Sequence, residues 1–359
     1  MRSDHPEGAD HSRLNSVPVT VITGFLGSGK TTVLNRLLRA PDLADTAVII
    51  NEFGEVSLDH LLIEQAIENA VLLKNGCICC TVRGDILDTI DELFRKRESG
   101  ELPWFRRIAI ETTGLADPAP VVHTLTDTRQ PCHLDGIVVT VDAVHVRAQL
   151  RERQEARNQL AFADRVLLTK TDLVTPAEAD AIEPVIRAFN ARSPIRRVVD
   201  GVVTPEDVFG LGPEARPSHW LRPAIEEHHI GNDHEIGDDH LHHHHHDPEG
   251  IASTVLRTDE PIPGTALVLW LDSLLSLHGA DVLRLKGIVR VTGIEQPVVV
   301  QAVHHVLHHL VGLPPRAEAA WDGPGGEIVV IHRGLPEAGL RASLEAALNR
   351  HESEPAVRV

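Results

Sequence analysis

Short runs rich in Val and Ile recur through the first half of the chain, at Val17–Thr23, Ala47–Asn51, Arg107–Glu111, Gly136–Val141 and Arg165–Thr169, with helical stretches between several of them. That alternation predicts a parallel sheet wrapped by helices. After Asp172 a helix is announced by Thr175 as N-cap, Pro176 at the first helical position and Glu178 three residues after the cap. The pattern breaks up from about Pro213 to Pro223, and Glu226 to Glu249 holds nine histidines and eight acidic residues with almost no apolar content. By composition this is a linker. Regular structure resumes with strands near Ser253–Thr258, Gly287–Thr292, Pro297–Val303 and Glu327–His332, and with helices near Ala266–His278 and Glu337–Arg350. Together these predict a smaller α+β domain. No internal repeat is present.

The expected organisation is therefore a tail over residues 1–16, an α/β domain over 17–212, a His- and acid-rich linker over 213–250, and a second domain over 251–359. At 359 residues, with 42% hydrophobic and 24% charged residues, the chain can bury two cores. Its opening residues lack the apolar core of a secretory signal. The stretch Ala266–Leu277 is too short to span a bilayer and contains Asp272. The formal charge of −18 disfavours nonspecific binding to nucleic acid and suits cationic partners. Of the four cysteines, three lie within Cys77-Ile78-Cys79-Cys80. Cysteines that close rarely build a disulfide framework, so reduced thiols in the cytoplasm are expected.

Chemistry enters with Gly24-Phe25-Leu26-Gly27-Ser28-Gly29-Lys30-Thr31, followed by Thr32. The motif sits directly after a strand and before the helical run Thr31–Arg39, a context that separates a phosphate-binding loop from a merely Gly-rich turn. Gly24, Gly27 and Gly29 let the backbone curl so that its N–H groups, including that of Ser28, face phosphates. Lys30 then reaches the β and γ oxygens, and the Thr31 hydroxyl binds Mg²⁺.

A second motif, Thr169-Lys170-Thr171-Asp172, resembles the Asn-Lys-x-Asp guanine reader of GTPases, with Thr169 where the usual pattern has Asn. The Asp172 carboxylate would accept two N–H groups from guanine, a pair that adenine does not offer, which selects GTP over ATP. Lys170 would lay its alkyl stem along the base. Glu111-Thr112-Thr113-Gly114 resembles a switch segment, with Glu111 acting through Mg²⁺ or its water and the Gly114 amide sensing the γ-phosphate. Asn51-Glu52-Phe53-Gly54-Glu55 is a candidate first switch, whose carboxylates could bind Mg²⁺, orient water or ligate a second metal. Catalytic work would fall to Lys30, Thr31, Glu52 and Glu111.

Cys77, Cys79 and Cys80 follow an Asn75-Gly76 turn. Three thiolates within four residues can share one metal, and soft sulfur donors suit Zn²⁺ or Cu⁺. Zinc prefers four donors, and Glu55, His123 and His133 are candidates for the fourth. Packing of small apolar cysteines is the simpler alternative, and Cys132, which stands alone, is assigned to it.

In combination, Gly24–Thr32, Asn51–Ser57, Asn75–Cys80, Glu111–Pro118, Val141-Asp142-Ala143 and Thr169–Asp172 resemble the CobW family of GTPases, which takes in the zinc-regulated GTPase metalloprotein activators. These are metallochaperones of the SIMIBI class. In the second domain, Leu283-Arg284-Leu285-Lys286-Gly287 and Val300-Gln301-Ala302-Val303-His304 resemble the CobW C-terminal domain. The resemblance implies a P-loop NTPase fold with a smaller CobW-like domain, weak intrinsic GTP hydrolysis, and Zn²⁺ or Co²⁺ bound at Cys-x-Cys-Cys. It also implies delivery of that metal to a client metalloprotein; a homo-oligomer is compatible with the sequence, which does not set the oligomeric state. Family members are associated with zinc, with cobalt for cobalamin, or with nitrile hydratase activation. Rival readings are a metal-storage protein with a vestigial nucleotide site, a small-molecule kinase and a structural adaptor.

The internal run His242–His246, set among His228, His229, His234 and His240, adds imidazoles that bind Zn, Ni, Cu and Co, and the surrounding carboxylates concentrate cations. A metal reservoir is the preferred reading, and a solvated linker the plain one. His304, His305, His308 and His309 have i, i+4 spacing, so on a helix each pair would share a face. Deleting Glu226–Glu249 should lower the number of Zn²⁺ ions bound, counted by equilibrium dialysis, yet leave one tight site intact; loss of the tight site would place it in the linker.

Overall fold

The computed structural model describes residues 16–40, 43, 45–51, 71–72, 78–82, 86–212, 250–308, 310–313, 323 and 325–352. Nearly all of the predicted tail and of the predicted linker lies outside these residues.

The first unit is an eight-stranded sheet in the order β3-β4-β2-β5-β1-β6-β7-β8. Its strands are β1 (Val17–Gly24), β2 (Thr46–Asn51), β3 (Val71–Leu72), β4 (Ile78–Val82), β5 (Arg107–Glu111), β6 (Cys132–Asp142), β7 (Arg165–Thr169) and β8 (Ile195–Arg197). All neighbours pair in parallel except β3 with β4. Among the described residues seven helices accompany it: α1 (Lys30–Leu37), α2 (Ile86–Glu98), α3 (Ala119–Asp127), α4 (Val146–Glu152), α5 (Gln154–Phe162), α6 (Pro176–Phe189) and α7 (Pro205–Val208). The predicted cap of α6 is present: Thr175 Oγ1 accepts from the Glu178 amide, and the Glu178 carboxylate accepts from the Thr175 amide.

The apolar strands follow from burial on both faces. Val19, Val21, Ala47, Ile49, Ile108, Ile110, Ile137, Val139, Val166 and Leu168 enter one core with α2, α3, α5 and α6. Their neighbours Ile22, Val48, Ile50, Ala109, Val138 and Leu167 enter a second core with α1, Val208 and Phe209. Each such side chain contributes on the order of 1.5–3 kcal/mol, which strongly opposes any slip by one residue. Because the parallel strands run the same way, Gly24, Asn51, Val82, Glu111, Asp142 and Thr169 end at one edge.

The second unit is an antiparallel sheet of β9 (Ile251–Thr258), β10 (Val282–Val289), β11 (Val298–Val303), β12 (Val306–Leu307), β13 (Val311–Gly312) and β14 (Gly326–Arg333). One face packs on α8 (Gly264–His278) and α9 (Glu337–Glu352) through Leu256, Leu285, Val300 and Val330. The opposite face joins the first unit's core through Ile251, Leu283, Val303 and Ile331. Charge accompanies this contact. Asp164, whose side chain is 3% exposed, accepts two contacts from Arg284 Nη2 at 2.6 and 2.7 Å, one from Lys286 Nζ, and one from the Ile137 amide at 2.8 Å.

His304 and His305 do not lie on a helix. They form the turn of a hairpin closed by the Val303–Val306 pair, with His304 at φ +49°, because the Val-rich runs on either side pair as strands. Their Nδ1 atoms donate to the Gly279 and Leu275 carbonyls at 3.1 and 2.9 Å, satisfying acceptors at the end of α8. The His304 ring packs on Phe162 and His123 across the contact between units, and burial pulls its pKa below the ordinary histidine value. His309 lies outside the described residues. Among the described residues, no group of three or more metal-ligating side chains converges.

Replacing Asp164 with Ala leaves the buried Arg284 guanidinium without its carboxylate. The expected loss is about 3–5 kcal/mol in unfolding free energy, read by urea denaturation.

Candidate functional site

The phosphate loop forms because its glycines take conformations closed to other residues. Gly24 sits at φ +146°, where an added Cβ would meet the Thr140 carbonyl oxygen at 2.4 Å. Gly29, at φ +94°, caps α1. Lys30, nearly buried, turns back over the loop and donates to the Gly24 and Phe25 carbonyls at 2.9 and 3.3 Å. Its ammonium is thus held at the loop's own backbone. Thr31 Oγ1 donates to Glu111 Oε1 at 2.6 Å, joining the loop to the end of β5. These hard oxygen donors fit Mg²⁺, with Thr31 and Glu111 the residues that would hold it.

The Thr169 hydroxyl, buried, donates to the Ser28 carbonyl at 2.7 Å and also approaches the Val141 carbonyl at 3.1 Å. The contact that an Asn amide would supply from this position is made by a shorter side chain. On the other side, Ser28 Oγ and Thr140 Oγ1 lie 2.6 Å apart. The loop is therefore braced from β6 and β7 by hydroxyl groups. Lys170 is at φ +58° and donates to Asp142 Oδ2 at 2.6 Å. Asp172 follows, exposed, in a tight turn that Thr171 fastens to the Val198 carbonyl. Burial works against the Asp142 charge, but hydrogen bonds from Lys170, His145 and the Val144 amide prevail and hold its carboxyl below the usual range.

Gly114 packs directly on the loop: a Cβ there would meet Leu26 Cα at 2.8 Å. Its carbonyl accepts from Gln159 Nε2 at 3.2 Å, and the Ala116 carbonyl accepts from the same nitrogen at 2.9 Å. Thr32, exposed on α1, lies beside Gly201, whose Cβ would meet Thr32 Cγ2 at 2.8 Å. The segment Val198–Gly201 is thus a wall of the site that sequence patterns did not single out. Thr140 and Gln159 carry no local signal either, the partners of Gln159 being backbone carbonyls distant in sequence, and Asp142 carries one only as part of Val141-Asp142-Ala143.

The structure brings together Gly24–Thr32, Glu111, Gly114 and Thr169–Asp172. Glu52, Glu55 and Cys77 lie outside the described residues. Cys79 and Cys80 lie within β4 itself rather than on a loop at the nucleotide edge, paired with Val48 and Ile49 of β2. Two candidates for the fourth metal ligand are corrected. His133 sits at the start of β6, four strands from β4 in the sheet order, or about 19 Å, with Nδ1 at 2.9 Å from Ser16 Oγ. His123 is engaged at the second unit, 3.2 Å from the Val303 carbonyl. Cys132 is half-buried against the core, and burial raises its thiol to about 11.

Residues 18–197 match the family described as CobW/HypB/UreG, nucleotide-binding domain, and residues 251–348 match the cobalamin synthesis protein cobW C-terminal domain. The chain belongs to the CobW family. Among the relatives of this CobW-family protein, the zinc chaperone YjiA of Escherichia coli is 32% identical over 92% of this chain and 98% of that protein. The zinc chaperone CobW of Sinorhizobium is 30% identical over 92% and 97%. The crystal structure of the Zn(II)-bound YjiA GTPase aligns with a TM-score of 0.69 at 29% identity, over 93% of this chain and 99% of that one. A Zn(II)-bound YjiA variant with a glutamate and two consecutive cysteines changed to alanine aligns at 0.70 and 28%.

Thr169→Val should weaken nucleotide binding to this CobW-family protein by about tenfold, because the buried Ser28 carbonyl loses its donor, while Thr169→Ser restores it; isothermal titration with Mg²⁺-nucleotide reads the difference.

Proposed function

We propose that this protein is a cytoplasmic GTP-hydrolysing zinc metallochaperone, whose nucleotide cycle controls a metal held by Cys77, Cys79 and Cys80 and passed to a client metalloprotein. Zinc is the cargo. Guanine selection falls to Asp172, with the Lys170 stem along the base. Lys30 and the loop amides stabilise charge on the transferred phosphoryl, and Thr31 and Glu111 are the residues that would hold Mg²⁺. When bound, Mg²⁺ would neutralise negative charge on the triphosphate. The attacking water would be oriented by the other switch carboxylate, Glu52. Water and GTP become GDP and phosphate.

The observation that carries this reading is the sheet register. Cys80 pairs with Ile49, and Ile49 pairs with Ile110, the residue before Glu111. Two strand spacings, about 10 Å, separate the cysteine strand from the strand that ends at the Mg²⁺ carboxylate. A change at Glu111 on γ-phosphate loss therefore lies within one intervening strand, β2, of the thiolate motif, and β2 itself runs into the candidate first switch. Support also comes from the relatives named as zinc chaperones and from the Zn(II)-bound YjiA structure. If both ligands bias the same segments, each must alter the other's affinity by the same factor.

GTP affinity and turnover measured with Zn²⁺, with Co²⁺ and without metal should differ in the parent protein and converge in Cys79→Ser. A coupling of about 5–150-fold is the expected range. Equal values throughout would reduce the protein to a metal binder with an uncoupled nucleotide site.

A further inference from the structure

We infer that Asp142 is a positioning residue for guanine-nucleotide binding, acting through Lys170. The inference rests on the GTP reading above and extends it to a residue to which neither the motifs nor the family match assigns a role.

Thr140 and Asp142 are two residues apart on β6, so they share one face of the strand. Thr140 braces the phosphate loop through Ser28. Asp142, at the end of the same strand, is 3% exposed in its side chain and takes three donors: the Val144 amide on Oδ1 at 2.8 Å, and His145 Nδ1 and Lys170 Nζ on Oδ2 at 3.0 and 2.6 Å. Its carboxylate is thus enclosed, and its effect on a nucleotide must pass through its partners. His145 is 63% exposed and donates from outside. Lys170 lies between Thr169, which is fixed to the phosphate loop, and Asp172, which reads the base.

A lysine stem is flexible, and an untethered one would spread over many rotamers. Pinning its ammonium to Asp142 leaves the stem as a fixed apolar surface at the entrance to the base site. The same tether stabilises the left-handed backbone of Lys170, on which the direction of the following turn, and hence of Asp172, depends. One strand end therefore sets both halves of the site: Thr140 the phosphate half, Asp142 the base half.

The test uses the full-length protein with Asp142→Asn, Lys170→Met and the double variant. Each is titrated with N-methylanthraniloyl-GDP and with inorganic tripolyphosphate, which occupies only the phosphate loop. Asp142→Asn should weaken the labelled GDP by about tenfold and tripolyphosphate by less than about twofold, raising KM for GTP without lowering kcat. The double variant should bind no more weakly than Lys170→Met alone. Should Asp142→Asn fail to fold, Lys170→Met, which keeps a stem but lacks the ammonium, should show the same selective loss, and Lys170→Arg should recover affinity. Parental affinity in Asp142→Asn or Lys170→Met, equal loss of both ligands, or fully additive losses in the double variant would overturn the inference. A parent that binds tripolyphosphate but not labelled GDP would overturn the GTP reading and this inference together.

Discussion

Burial of the parallel sheet on both faces is the constraint from which the rest of this molecule follows. Val19, Val21, Ile108, Ile110, Ile137 and Val139 face one core, and Ile22, Val48, Ala109, Val138 and Leu167 the other, so the register of every central strand is pinned from two sides. Because these strands run in the same direction, their carboxyl ends coincide along one edge. Gly24, Glu111, Asp142 and Thr169 come from segments far apart in the chain, yet they meet there. Without that rigid platform, hydrogen bonds such as Thr31 to Glu111 and Thr169 to Ser28 would have to order loops as well as join them.

The antiparallel unit is tied to this platform in two chemically different ways. Leu283, Val303, Ile251 and Ile331 continue the apolar core, while Asp164 gathers Arg284 and Lys286 at the margin. A buried charge cluster adds little net stability over apolar packing, but removing one member is costly, so it penalises misdocking of the second sheet. The contact also reaches α3 through His123 and Val303, and α3 begins immediately after the segment containing Gly114.

Within the site, the departure from the general GTPase motif at Thr169 has a physical explanation. Its hydroxyl reaches the Ser28 carbonyl, and Gly29 brings the loop close enough for an added Cβ to stand 3.6 Å from the Thr169 methyl. At these distances the threonine side chain is long enough to join the loop to β7. The same economy appears at Ser28 and Thr140, where two hydroxyls meet directly. Small hydroxyl residues brace the loop, and one buried carboxylate, Asp142, holds the lysine beside it.

The sequence by itself determined the local features. The phosphate loop, the strand–helix alternation, the capping box at Thr175 and the Thr169–Asp172 motif are all encoded within a few residues, by backbone freedom, side-chain periodicity and donor spacing. Strand ends such as Arg107–Glu111 and Arg165–Thr169 were legible to the residue because a chemical motif terminates each. The placement of His304 was not, since i, i+4 spacing is equally available to a chain that turns between two valine strands. Roles for Thr140, Asp142, Gln159 and Asp164 came only from the tertiary structure. Each acts on a partner brought near by sheet order rather than by sequence separation, as Lys286 is to Asp164 across 122 residues. No local pattern records such a distance; only the packing that closes it does.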